Sequence, residues 1–180
     1  MDNFTVCWIA MSLLFNQGHS PSYKKKVMKS MYSRVKICEQ IIVESEKQGI
    51  DPLLALSVSF HETRWQNIKS SKGAQGPMGV IKRYHCPRYG KCDLIAAGVR
   101  ALSKFLMLNS WQHCPALAQY NRGMKGRCAK GRSEHKYATK VLDTYADLMF
   151  TVYPQCTISR ILSKHVSQTP VFPSSHTIAQ

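Results

Sequence analysis

Acidic residues are scarce in this chain of 180 residues: ten Asp and Glu stand against 25 Lys and Arg, a formal net charge of +15. The scarcity leaves few carboxylates for acid–base work. The cationic excess suits a polyanionic partner, whether nucleic acid, anionic membrane or acidic wall polymer. Long apolar runs are also missing. With no stretch of about eighteen apolar residues, an ordinary membrane-spanning helix is not expected. There are no internal repeats and no long low-complexity tract. What is present is globular in composition, with 44% hydrophobic and 19% charged residues. The length suits one domain able to bury a core of its own.

The longest apolar candidate, Phe4 to Phe15, has the length of a signal-peptide core. Met1-Asp2-Asn3 ahead of it carries no Lys or Arg, and no clear A-x-A site follows. Two readings stay open, an export or anchor signal and an N-terminal segment packed on the domain. Residues 20–30 (SPSYKKKVMKS) read as a basic linker or a lead-in to the first helix. Residues 31–48 read as a helix with Val35, Cys38, Ile41 and Ile42 on its apolar face, ended by Gly49. Asp51-Pro52 is an N-cap followed by a first-turn proline. The helix it opens (LLALSVSFHETRW) is apolar nearly all round and should be buried. Residues 66–91 hold six glycines and prolines and predict loops with short turns. Asp93 can cap a helix carrying Leu94, Ile95, Val99, Leu102 and Leu106. Pro115 should start a short helix ending at Gly123. Ser133 can cap a last long helix with Tyr137, Val141, Tyr145 and Leu148. From Pro154 onward Ser, Thr, Pro and Gln predominate, which predicts a mobile tail. The expectation is a mainly α single domain over residues 30–153, between an N-terminal segment 1–29 and a tail 154–180.

Glu62 is the informative residue. It lies near the C-terminal end of an otherwise apolar helix, where desolvation and the negative end of the helix dipole both disfavour its ionisation. Both effects raise its pKa, as a general acid working near neutral pH requires. The alternative is that Glu62 pairs with Arg64 or sits on an exposed last turn. A metal reading of His61-Glu62 fails, because HETRW lacks the second histidine of H-E-x-x-H.

Downstream the chain reads SSKGAQGPMGV and, some forty residues later, ALAQYNRG. From about Pro52 to the Tyr137 helix, these motifs resemble the soluble lytic transglycosylase domain, a lysozyme-like fold acting on peptidoglycan. That family carries Glu-Ser at a helix end, a Ser-x-x-Gly-Ala-x-Gly-Leu-Met-Gln loop and a later Ala-x-x-x-Tyr-Asn-x-Gly. The resemblance places the catalytic acid on Glu62 and an aromatic on Trp65. It places substrate-binding positions on Ser70, Met78, Tyr120 and Asn121. Three departures stand out: Thr63 replaces serine, Pro77 replaces leucine, and Gly79 replaces a glutamine whose amide is implied to help hold the sugar.

A two-carboxylate glycosidase needs a second acid across the scissile bond. After Glu62 the next acid is Asp93, a helix cap, and Asp51 lies about 16 Å away at the far end of the same helix. This fits the chemistry that the resemblance implies, in which one glutamate makes both proton transfers and MurNAc–GlcNAc cleavage yields a 1,6-anhydro sugar. Tyr120 and Asn121 would hold the substrate N-acetyl group. No cofactor and no metal are implied. The partners implied are peptidoglycan glycan strands, with virion or envelope-complex proteins besides, and the chain would act as a monomer in the cell envelope or a virion. Hydrolysis on the same fold is the runner-up. A nucleic-acid-binding module is the rival from another class, since Arg122, Lys125, Arg127, Lys130, Arg132 and Lys136 are opposed only by Glu134. That rival leaves Glu62 unexplained, and nucleic acid is not expected as a partner.

Seven cysteines are many for a cytosolic chain, and loss of the N-terminal segment would leave an even six. Cys86 and Cys92 bracket a short turn with Pro and Gly, which allows bridging. Cys114 and Cys128 bracket the Tyr-Asn helix and the basic loop, a second candidate pair. Cys38 and Cys156 remain as a third, although six cysteines permit fifteen pairings. Zinc competes weakly, because the Cys86–Cys92 and Cys114–Cys128 spacings lack the close knuckle of tetrahedral sites.

Overall fold

The computed structural model describes residues 1–16, 20–88 and 91–154. Within them the chain is mainly α: α1 (Asn3–Asn16), α2 (Pro21–Lys29), α3 (Met31–Lys47), α4 (Pro52–Thr63), α5 (Lys82–His85), α6 (Leu94–Leu108), α7 (His113–Arg122) and α8 (Ser133–Val152). Helix α4 is the centre. Every residue from Leu53 to Phe60 is buried, its serines included, and Ser57 Oγ satisfies itself on the Leu53 carbonyl at 2.7 Å. Helices α3 and α8 pack directly on α4, and α7 packs on both α6 and α8.

Local signals account for most of the helix ends. Asp51 accepts from the Leu53 N–H at 2.8 Å, with Pro52 in the first turn. Asp93 accepts from the N–H groups of Ile95 and Ala96 at 2.9 and 3.0 Å. Gly49, at φ +64, follows α3 as a C-terminal residue should. Helix α7 begins two residues before Pro115, which is tolerated there because a first-turn N–H has no intrahelical acceptor. Ser133 does not cap α8. It lies inside the first turn with its hydroxyl donated to Glu134 at 3.0 Å, and Arg132 occupies the N-cap without a side-chain bond.

The N-terminal stretch belongs to the core. The basic residues read as a linker form α2, capped by Ser20 and started by Pro21. Helix α1 packs on α3 and α8, with Cys7 and Ala10 fully buried. Phe15 meets the rings of Phe60 and Trp65 edge to face, with centroids 5.3 and 5.6 Å away. Of the expected cysteine pairs, Cys86–Cys92 and Cys114–Cys128 are disulfides, with Cα atoms 5.6 and 5.7 Å apart. The third pairing is corrected. Cys38 bonds Cys7, because α1 lies along α3 and brings the two Cα atoms to 5.8 Å. Cys156 and the expected tail from residue 155 onward lie outside the described residues. Disulfides of this number point to an oxidising compartment. No helix among the described residues is long and apolar enough to cross a membrane.

Candidate active site

The loop after α4 is seated between α4 and α6. Its turns close by backbone pairing: Gln75 and Val80 exchange two bonds of 2.8 Å, and the Gly76 N–H reaches the Ile68 carbonyl at 2.9 Å. Two hydroxyls of α4, on Ser59 and Thr63, donate to the Pro77 carbonyl at 3.0 and 2.8 Å. On the other side, Gly98 of α6 lies so close to Met78 that a Cβ there would overlap the methionine side chain. Thr63 also accepts from the Gln66 N–H at 3.2 Å. Its hydroxyl therefore anchors the loop to the helix.

Glu62 sits where this loop closes over the end of α4. The helix stops at Arg64 and Trp65, both with left-handed φ near +55°. Trp65 is fully buried and donates its indole N–H to the Leu56 carbonyl at 2.9 Å. The buried Arg34 of α3 donates to the Arg64 carbonyl. The Glu62 carboxyl is clamped on two sides. Tyr137 of α8 donates its hydroxyl to Oε1 at 2.7 Å, and Oε2 faces the α-carbon of Gly79. Burial raises its pKa, and the Tyr137 hydrogen bond opposes that in part. No cation among the described residues pairs with it. The guanidinium of Arg64 instead lies over the Phe60 ring at 4.0 Å. His61 next door bonds Thr144 of α8 at 2.8 Å, and burial with nearby Arg64 lowers its pKa to about 4, so it is neutral at neutral pH.

In front of Glu62 is a cavity of about 360 Å³, walled by Ser70, Gly79, Tyr120 and Asn121 among others. It shares Phe105, Tyr120 and Arg122 with a wider groove of about 900 Å³, whose walls include Arg100, Lys104 and Lys125. Among the described residues, Glu62 is the sole carboxylate lining either. The acids nearest in sequence are committed elsewhere: Asp93 caps α6, and Asp51 caps α4 while accepting from the Tyr145 hydroxyl at 2.6 Å.

Four further positions were expected at the site. Asn121 is exposed on the cavity wall. Ser70 is there too, although its Oγ accepts from the Ala74 N–H at 3.1 Å and shapes its own turn. Tyr120 lines the cavity with its hydroxyl donated to the Met78 carbonyl at 2.7 Å. Only its lone pairs remain for a ligand, so towards substrate it is an acceptor. Burial and the Glu62 charge raise its pKa well above the ordinary value, as for Tyr137, and both phenols stay protonated. Met78 is fully buried against Gly98, and what it turns towards Tyr120 is its carbonyl, not its side chain. Two features went unread in the sequence. Tyr137 looked like one more apolar position of α8, and Gly79 looked like the loss of a side chain rather than a seat for Glu62. Among the described residues, one group could approach metal-ligand geometry, Cys114, Cys128 and His135, and its two sulfurs are joined in a disulfide. No family model, curated protein or solved structure matches the chain.

Proposed function

We propose that the chain cleaves the β-1,4 bond between MurNAc and GlcNAc in peptidoglycan and leaves 1,6-anhydro ends. The observation that carries this reading is a lone buried carboxyl, its pKa raised, in a groove with no second carboxylate. An acid with a raised pKa keeps its proton to higher pH than an ordinary carboxyl and can protonate a leaving oxygen. Without a second carboxylate, neither an enzyme nucleophile nor a separate base for water is at hand. The substrate's N-acetyl carbonyl would then stabilise positive charge at C1. Once the proton from Glu62 has let the C1–O bond break and GlcNAc leave with that hydroxyl, the ionised Glu62 takes the proton of the C6 hydroxyl, whose oxygen bonds C1. Glu62 ends protonated, and no water is consumed.

The other groups fit supporting roles. Tyr120, whose hydroxyl proton is held by Met78, can accept from the N-acetyl N–H, and Asn121 can donate to its carbonyl. Tyr137 returns a hydrogen bond to Glu62 whenever it is ionised. The basic wall formed by Arg100, Lys104, Arg122 and Lys125 suits a strand that carries acidic peptide stems. The disulfides agree with work in the cell envelope or on a virion, outside the reducing cytosol.

The test is mass spectrometry of fragments released from purified peptidoglycan. Anhydro products absent from Glu62→Gln reactions support the reading. Reducing ends, one water heavier, would assign hydrolysis on the same site. Undiminished turnover by Glu62→Gln would remove Glu62 from the chemistry.

A further inference from the structure

The face built by α1 and α2 contributes nothing to the cleft. Phe4 and Trp8, one turn apart on α1, stack with ring centroids 6.3 Å apart, yet they are 56% and 45% exposed. Met28 of α2 is exposed as well. A slot of about 220 Å³ runs from Trp8 and Met28 inward to Phe15, with Val27 in its wall and Lys24 at its rim. Helix α2 sets Lys24, Lys25, Lys26 and Lys29 in exposed positions within nine residues, and neither helix contains an acid.

Exposed aromatics in a row beside a cluster of lysines do not make a solvated face. The rings leave 56% and 45% of their surface to water, and among the described residues no salt bridge neutralises the lysines, which repel one another. The combination matches the interface of a bilayer, where aromatic rings settle among headgroups and lysines meet lipid phosphates. The face is also held firmly. Cys7 is bonded to Cys38 of α3, and Phe15 is locked between Phe60 and Trp65. Helix α1 has 14 residues, about 21 Å, so it can lie on a bilayer and not cross one.

We propose that the α1–α2 face docks on an anionic lipid surface. Phe4 and Trp8 enter the headgroup layer, the slot takes the first methylenes of an acyl chain, and the lysines of α2 bind lipid phosphates. No residue of either helix lines the cavity at Glu62, so docking leaves that cavity open. The proposal is independent of the reaction proposed above.

Co-sedimentation of the full chain with vesicles tests it. Binding should be at least about tenfold tighter on phosphatidylcholine vesicles with about 30% phosphatidylglycerol than on phosphatidylcholine alone, and should weaken as salt is added. A chain of charge +15 would be drawn to any anionic surface, so the deciding variant keeps the charge. Phe4→Ser with Trp8→Ser should lower binding about tenfold at an unchanged melting temperature. Lys24→Gln with Lys25→Gln and Lys29→Gln should lower it by a similar factor. Equal binding to the two vesicle types, no binding, or binding indifferent to the serine pair would overturn the proposal. So would a vesicle-free dimer that the serine pair abolishes, since the face would then belong to a second copy. If the serine pair unfolds, Trp8→Phe keeps the ring and removes one fluorophore. Quenching by brominated acyl chains must then fall against the wild type, and equal quenching would overturn the insertion of Trp8.

Discussion

Gly79 and Glu62 share one space: the carboxylate oxygen Oε2 lies where a side chain on residue 79 would begin. The backbone there has φ +63, a conformation natural to glycine. The loop therefore reaches Glu62 with bare backbone, and the carboxyl is desolvated by main chain on one side while Tyr137 holds the other.

Gly79→Ala is accordingly expected to act on chemistry and stability together. The left-handed conformation alone costs a residue with a Cβ about 1–2 kcal/mol. The new Cβ must also push Glu62 aside, so turnover should fall at least about tenfold, since small misplacement of a reacting group is costly. Steady-state kinetics beside thermal melting checks this. Full turnover with normal melting would show that Glu62 has no need of that approach.

Tyr137→Phe isolates the hydrogen bond on Oε1. The phenol stabilises the ionised carboxylate and so lowers the Glu62 pKa against burial. Its loss lets that pKa rise further. The descending alkaline limb of the kcat/KM profile should move to higher pH, while kcat drops about threefold to tenfold because the carboxylate formed after proton transfer loses its donor. A limb that stays put, or moves towards acid, would show that Tyr137 does not tune Glu62.

Glu62→Gln also makes a prediction about stability. Burial raises the folded-state pKa of Glu62 above its ordinary 4.5. Its contribution to stability is fully present below that ordinary value and is lost as pH rises through the folded pKa. Above that point the wild type holds an ionised carboxyl in a poor site. Gln carries no charge there and can still accept from Tyr137. The variant should melt higher than the wild type near pH 8 and alongside it near pH 4. Differential scanning calorimetry across pH decides it, and a variant that melts lower at pH 8 would contradict the raised pKa.

The Cys7–Cys38 bond closes a separation of 31 residues. Chain-entropy arguments give such a crosslink about 3–4 kcal/mol. Cys7→Ser with Cys38→Ser should lose about that much in denaturant unfolding, and non-reducing peptide maps of the wild type should join the two peptides. A map joining Cys38 to another cysteine would refute the pairing.

Much of the fold was legible in the sequence. Asp51, Asp93 and Gly49 mark helix ends through groups that bond backbone two or three residues away, so their signals are local and readable. The burial of α4 followed from a run with no polar face, and Glu62 stood out because a carboxyl in that run has no cheap explanation. The Cys86–Cys92 bridge was readable because only five residues, a proline and a glycine among them, separate its ends.

Tertiary structure decided the rest. Cys38 could be assigned to Cys7 only once α1 was known to lie on α3, because the apolar residues of α1 spell a leader and a core helix equally well. Tyr137 reaches Glu62 across 75 residues of sequence, and on α8 it carries no mark that separates it from the neighbours that pack. Gly79 read as a missing side chain, and only the path of the loop between α4 and α6 turned it into a wall of the site. Hydrophobic periodicity and capping act over a few residues and determine which segments become helices. Which side chains then meet depends on how those helices pack, and contacts between distant residues leave no pattern within any one segment.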